Sequence, residues 1–286
     1  MKIQIVAFIC ASLAMSGAAE AACRNETKVD LQFVVCEFQP AQDDIRLFLN
    51  DDDGKPYGDF GPVAAALDAK GENLLFAMNA GMYTRDRSPV GLYIENYEEK
   101  KKLSTKDGPG NFHLKPNGVF WIDEAGAHAT ATTDFAAQFP SPVRGRGVRG
   151  EGEFPSPSTH SPSESAAPSP PAPLPLGGEG RTIRYATQSG PMLVIDGAIH
   201  PRFLVDATSR KRRNGVGVRE DGSVIFALSD TPVTFYEFAT YFRDDLKAPN
   251  ALYLDGTISR LYAPELSRHD PGLAMGPIVG VVGKKE

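Results

Sequence analysis

Short hydrophobic runs, many of them alternating with polar residues, recur along the chain and are typical of β-strands. Gly, Pro, Asn and Asp lie between many of them, as in turns and hairpins, and residues 115–118 (Lys-Pro-Asn-Gly) are a strong hairpin signal. The predicted strands cover residues 31–38, 45–49, 74–78, 90–94, 111–114, 119–122, 192–195, 215–219, 224–228 and 251–254.

Two segments carry helix signals instead. Gly61 and Pro62 open a short helix that runs to Ala69. A second helix begins at Thr234, which forms a capping box with Glu237. Many strands and few helices predict an α+β fold, a single domain with a mixed or mostly antiparallel sheet.

Residues 139–181 break this pattern. Ten of the 23 prolines lie here among Ser, Gly and Arg, with few large apolar residues. Such a segment buries too little surface to offset its ordering entropy, which predicts a disordered insertion. A proline-rich docking motif within residues 168–175 is the alternative. The insertion divides the predicted domain into residues 22–138 and 182–286.

The first 21 residues have the pattern of a signal peptide. A basic Lys2 precedes an apolar stretch, and Ala19-Glu20-Ala21 fits a cleavage signal. Nothing later in the chain is long and apolar enough to predict a second membrane anchor. The expected location is therefore the periplasm or the extracellular medium.

Export changes the reading of the cysteines, because disulfides form in oxidising compartments. Cys10 lies within the signal peptide, which leaves Cys23 and Cys36 as a predicted disulfide. Lipid attachment at Cys23 is the alternative, and the two hypotheses exclude each other.

Composition is that of a globular protein, with 41% hydrophobic and 23% charged residues. The net charge of −6 argues against a nucleic-acid partner, since no basic stripe is available to neutralise phosphates.

Polar residues at predicted strand ends are the candidates for chemistry. Asn79 follows a buried strand and precedes Gly81, which permits close approach of a ligand. Asp255 and Gly256 stand in the same relation to another strand. Arg213 begins a strand, where a guanidinium could hold a phosphate with two parallel hydrogen bonds. Together they suggest an anion-binding cleft.

Five motifs occur in a fixed order along the chain: residues 76–82 (FAMNAGM), 190–194 (GPMLV), 213–217 (RNGVG), Glu237 on its helix and 254–256 (LDG). Together they resemble the phosphodiester glycosidase family, which includes the uncovering enzyme that removes N-acetylglucosamine from phosphodiester-linked mannose. Residues 112–120 (FHLKPNGVF) and 250–256 (NALYLDG) resemble a small exported bacterial branch of that family in particular. The likeness covers roughly residues 23–283 apart from the insertion.

The resemblance implies hydrolysis of a sugar-1-phosphodiester, a carbohydrate substrate. Arg213 would clamp the phosphate, and Asp255 would act as base or nucleophile at the anomeric carbon. Asn79 would orient the sugar or phosphate.

The other implied site residues have less defined roles. Ser189 and Gly190 would supply backbone contacts, and His113 could act as an acid or contact phosphate. Glu237 is either catalytic or only part of its capping box. No set of metal ligands can be picked out, and a cofactor requirement is left open.

The sequence departs from the uncovering-enzyme branch at Tyr253 and at residues 257–259, so substrate identity does not carry over. Two alternatives to an active enzyme remain. One is a non-catalytic module that binds envelope glycans, and the other is an enzyme damaged by the insertion. Damage would be indicated if Met192 were displaced from its sheet.

Overall fold

The computed structural model describes residues 22–140, 182–256 and 258–285. The predicted signal peptide and the predicted insertion from residue 141 onwards lie outside the described residues. Phe139, which the sequence predicts as the first residue of the insertion, is buried against Trp121 and Phe135 at the end of a helix.

Seventeen strands and three α-helices form within the described residues. The strands are β1 (Cys23–Lys28), β2 (Leu31–Phe38), β3 (Asp44–Phe48), β4 (Glu72–Asn79), β5 (Tyr93–Glu95), β6 (Glu98–Lys101), β7 (Gly118–Asp123), β8 (Gly126–Ala131), β9 (Tyr185–Ser189), β10 (Met192–Ile195), β11 (Ala198–Ile199), β12 (Asn214–Val218), β13 (Val224–Ser229), β14 (Asn250–Tyr253), β15 (Leu261–Ala263), β16 (Arg268–His269) and β17 (Ile278–Lys284). The helices are α1 (Phe60–Asp68), α2 (Thr132–Gln138) and α3 (Phe235–Thr240).

The strands form three sheets, and every strand pairing among the described residues is antiparallel. The first sheet has the order β1-β2-β13-β12-β14-β10-β11, the second β16-β15-β4-β17-β3 and the third β6-β5-β9-β7-β8. The predicted α+β fold with a mostly antiparallel sheet is confirmed.

All three sheets contribute to one central core. Phe226 of the first sheet lies 5.0 Å from Phe76 of the second and 6.0 Å from Phe120 of the third, measured between ring centroids. The outer face of each sheet is covered by one helix: α3 packs on the first, α1 on the second and α2 on the third. This arrangement makes the described chain a single compact domain.

Local signals explain the helix starts. The Asp59 side chain accepts hydrogen bonds from the first amides of α1, so the helix begins one residue earlier than Gly61. At α3, the predicted capping box is present: the Thr234 hydroxyl accepts from Glu237 N at 3.1 Å, and Glu237 Oε2 accepts from Thr234 N at 2.9 Å. A π-helical turn, Tyr241–Asp245, continues α3.

The predicted hairpin at residues 115–118 is wrong. Residues 111–113 form a 3₁₀ turn rather than a strand, and β7 pairs with β8 and β9. The Lys115–Pro116 peptide is cis, and the Asn117 side chain donates to Phe112 O at 2.9 Å. The segment is therefore an irregular loop folded on itself.

The two remaining cysteines form the predicted disulfide. Cys23 and Cys36 are directly paired residues of β1 and β2. Because the Cys23 thiol is in this bond, the alternative of lipid attachment at Cys23 is contradicted. No helix in the described part of the chain combines the length and the apolar character that crossing a bilayer requires.

Candidate active site

The candidate site lies where β4, β12 and β14 end or begin next to one another. Asn79, the last residue of β4, donates from Nδ2 to Asn214 Oδ1 at 3.3 Å. Asn214 Nδ2 donates to Asn79 O at 3.1 Å, and Asn214 Oδ1 also accepts from Asp255 N at 2.9 Å. Asn214 thus connects two of the predicted site residues, Asn79 and Asp255.

The Asn79 side chain is buried and engaged by the protein at both ends. Its Oδ1 accepts from the backbone N of Arg260 at 3.1 Å, while its Nδ2 is used by Asn214. This places Asn79 as a support for the loop that carries Asp255.

Arg213 immediately precedes β12, and its residue is only 2% exposed. Its Nε donates to Val233 O at 2.9 Å, and one terminal nitrogen donates to Ser209 O at 3.3 Å. The guanidinium carbon lies 3.6 Å from the Phe235 ring centroid and 5.6 Å from that of Tyr253. Burial is the main cause that lowers the pKa of Arg213. Among the described residues, no carboxylate forms an ion pair with this guanidinium.

Asp255 is half-buried and follows β14 by two residues. Its charge acts on two phenols. Burial, and after it the charge of Asp255, raises the pKa of Tyr83. Burial is also the main cause that raises the pKa of Tyr253, where Arg213 opposes the shift and Asp255 adds to it. The carboxylate therefore belongs to the same electrostatic neighbourhood as the buried guanidinium.

The glycines of the site allow close backbone packing. A Cβ on Gly81 would lie 2.4 Å from Thr187 Oγ1, and one on Gly190 would lie 2.5 Å from the Cβ of Asn117. Ser189 is buried, and its hydroxyl donates to Leu254 O at 2.7 Å. Gly81 and Gly190 are thus each packed closely against other residues of the protein.

Residues 72–273 match the family model described as phosphodiester glycosidase. The uncharacterized protein YigE of Escherichia coli (strain K12) is 31% identical over 223 residues, which are 78% of this chain and 71% of YigE. This chain belongs to the phosphodiester glycosidase family.

A solved structure of similar fold is the catalytic domain of zebrafish N-acetylglucosamine-1-phosphodiester α-N-acetylglucosaminidase, auto-inhibited by its pro-peptide. The TM-score is 0.51 at 13% sequence identity, and the match covers 91% of this chain and 81% of the zebrafish chain. At this identity the likeness concerns the fold alone.

Two of the predicted site residues, His113 and Glu237, have other surroundings. His113 lies beside a surface groove of about 660 Å³ walled by residues 99–106, and its Nδ1 is 3.1 Å from Lys106 O. Glu237 forms the α3 capping box and an ion pair with Arg210 at 2.5 Å. Within the described residues, neither side chain contacts Arg213, Asp255 or Asn79 by a hydrogen bond or an ion pair.

Three residues of the site escaped prediction: Asn214, Tyr253 as a neighbour of Arg213, and Arg260. Asn214 and Tyr253 had a usable signal, since each is a polar residue at the end of a buried strand beside a candidate. The described residues contain no group of three or more His, Cys, Asp or Glu suited to a metal ion.

Proposed function

We propose that this protein hydrolyses sugar-1-phosphodiester linkages in envelope or extracellular glycoconjugates and releases the sugar from its phosphorylated partner. The observation that carries the proposal is Arg213, a buried guanidinium without a carboxylate partner among the described residues. A buried charge is costly unless it is paired, and a phosphate would supply the missing opposite charge.

Arg213 suits a phosphate that becomes the leaving group. As the bond between the anomeric carbon and the phosphate oxygen breaks, negative charge grows on the phosphate, and a fixed guanidinium stabilises it. Two backbone carbonyls and the Phe235 ring hold that guanidinium in place before substrate arrives. Little reorganisation is then needed during the reaction.

Asp255 is the proposed carboxylate at the anomeric carbon. As a base it takes a proton from water, whose oxygen then bonds to the anomeric carbon while the phosphate monoester departs with the bonding electrons. As a nucleophile its carboxylate oxygen bonds to that carbon while the phosphate monoester departs with the bonding electrons, and water then hydrolyses the glycosyl ester to free sugar and regenerates the carboxylate. Asn214 fixes the Asp255 backbone in both cases.

The family and the fold support this chemistry. The family model is described as phosphodiester glycosidase, and the zebrafish enzyme of similar fold is named for an N-acetylglucosamine-1-phosphodiester. The disulfide fits a periplasmic or secreted location, as does the signal peptide pattern. Met192 keeps its place in the first sheet, so this strand after the insertion is intact.

The test is release of free sugar from a panel of α-sugar-1-phosphodiesters by the purified protein. We expect Arg213→Ala and Asp255→Asn each to lower kcat/KM by about 10²- to 10³-fold or more, because each removes a group that acts on the transition state. Arg243→Ala and Asp244→Asn are matched controls, since these two surface side chains form their hydrogen bonds with each other in the part of the chain that the structure describes. Release that persists in both site variants would refute the assigned roles. A folded wild type that releases no sugar from the panel would favour a glycan-binding module or an inactive enzyme.

A further inference from the structure

The Tyr253 phenol has two neighbours in the candidate site, the Arg213 guanidinium and Gly256, which follows Asp255. The residue is 1% exposed, and its ring meets the Phe235 ring edge-on at 4.8 Å. The Arg213 guanidinium is next to both rings. Tyr253 therefore forms one wall of the cage that holds this guanidinium.

The hydroxyl of the same phenol reaches the Asp255–Gly256 segment. A Cβ built on Gly256 would lie only 2.1 Å from the Tyr253 hydroxyl oxygen and 3.0 Å from Arg212 O. Any side chain at residue 256 would thus collide with the hydroxyl. This accounts for glycine at a position that has no positive φ to require it.

Burial raises the pKa of the Tyr253 phenol above its usual value and so favours the protonated form. The charge of Asp255 adds to this shift, while the charge of Arg213 and side-chain hydrogen bonds with Arg213 and Asn111 oppose it. A protonated phenol is an uncharged O–H donor. It can approach an anion without electrostatic repulsion and without adding a second buried charge.

We propose that the Tyr253 hydroxyl is a second donor of the phosphate site, beside Arg213, and that Gly256 is glycine to leave this hydroxyl room. The inference rests on the proposed function for the identity of the anion. It goes further in assigning a neutral donor next to the charged one. Arg213 supplies the charge, and Tyr253 adds a directional hydrogen bond that fixes the orientation of the phosphate.

Binding of inorganic phosphate, measured by calorimetry, tests this without any hydrolysis. We expect Tyr253→Phe to weaken phosphate binding about tenfold, because it removes one hydrogen bond to a charged group. The ring is kept, so packing around Arg213 is retained. Tyr57→Phe is the matched control. Tyr57 is partly buried and packs against a different hydrophobic cluster, the one that includes α1, so this substitution should leave phosphate affinity unchanged.

Gly256→Ala provides a second test. The new methyl group should displace the hydroxyl and weaken phosphate binding in the wild-type background. In the Tyr253→Phe background, Gly256→Ala should lower phosphate affinity much less, because the hydroxyl oxygen that the new Cβ would meet at 2.1 Å is gone. Wild-type affinity should also stay level between about pH 8 and pH 10, since a protonated phenol does not titrate there.

The outcomes separate this inference from the proposed function. Phosphate affinity within about twofold of wild type in Tyr253→Phe would overturn the donor role while leaving Arg213 as the anion site. A wild type that binds no phosphate would overturn both the donor role and the anion site. Tyrosine-dependent phosphate binding without sugar release would support the donor and refute the hydrolase.

Discussion

Two arginines, Arg213 and Arg260, are almost equally buried in this protein, at 2% and 4% exposure, yet their surroundings differ. Arg260 pairs with Asp59 at 2.8 Å and donates to the carbonyls of Asp270 and Leu273. Arg213 has two carbonyls and two aromatic rings, and no carboxylate of the described chain pairs with it.

The difference separates a charge that is paired within the fold from one that is buried without an ion-pair partner among the described residues. The Arg260 pair ties the start of α1 to the loop after β16, and the Arg260 backbone holds Asn79. Its charge is compensated inside the fold. Among the described residues, the guanidinium of Arg213 contacts two backbone carbonyls and two aromatic rings and forms no ion pair. The proposed function assigns the compensating charge to a bound phosphate.

The largest change in the free energy of unfolding should come from replacing Arg260. Arg260→Ala leaves two loop carbonyls and Asp59 without their donor, and we expect the free energy of unfolding to fall by about 3 kcal/mol. Urea denaturation would measure this. Arg243→Ala, which removes an exposed arginine, serves as the control and should change stability by less than about 0.5 kcal/mol. Equal effects of the two variants would contradict the structural role of Arg260.

For Arg213 we expect a small effect on stability and a large effect on phosphate binding. Arg213→Met removes a desolvated charge and retains apolar contact with Phe235, so we expect unfolding free energy within about 1 kcal/mol of wild type. Phosphate at ten times its Kd should stabilise the wild type by about 1.4 kcal/mol and this variant by almost nothing. Thermal unfolding with and without phosphate measures both. A variant that phosphate still stabilises would move the anion site elsewhere.

The smallest expected effect is a loss of stability at acid pH. Burial tends to raise the pKa of Asp59, but the Arg260 guanidinium and two backbone amides outweigh it and hold the pKa below its usual range. A lowered folded-state pKa contributes stability above the unfolded value and loses it as pH falls through the folded value. Because this carboxylate is 40% exposed, we expect a loss of less than about 1 kcal/mol between roughly pH 4 and pH 2.

The acid effect needs a variant that lacks the carboxylate. Asp59→Asn should lose less stability than the wild type over that acid range, because an amide at this position does not titrate. Denaturant midpoints at several pH values would measure the difference. Identical acid profiles for the two proteins would show that the pair with Arg260 contributes nothing to acid stability.

How far the sequence predicts this molecule depends on the range of the interactions. The start of α3 and the Cys23–Cys36 bridge follow from residues close together in the chain, and both predictions are confirmed. The turn at residues 115–118 has an equally local signal but fails, because Asn117 bonds to Phe112 and Met192 N bonds to Pro116 O instead of closing a hairpin.

The candidate site divides in the same way. Asn79 and Asp255 could be placed at strand ends from the sequence, but the residue that joins them, Asn214, bonds across 135 and 41 positions of the chain. The partners of Arg260 are up to 201 positions away. No local pattern encodes such contacts, which arise only when separate sheets pack together.

Residues 140 and 182 flank the undescribed stretch between α2 and β9, and both sides of it pack into one hydrophobic cluster. Phe139 on the departing side and Ile183 on the returning side belong to the same hydrophobic cluster, together with Trp121 and Phe135. Since the entropy of closing a loop grows only with the logarithm of its length, evolution can lengthen or shorten the stretch between them at small cost. The same position would accept a fused reporter or affinity domain while both anchoring side chains stay in place.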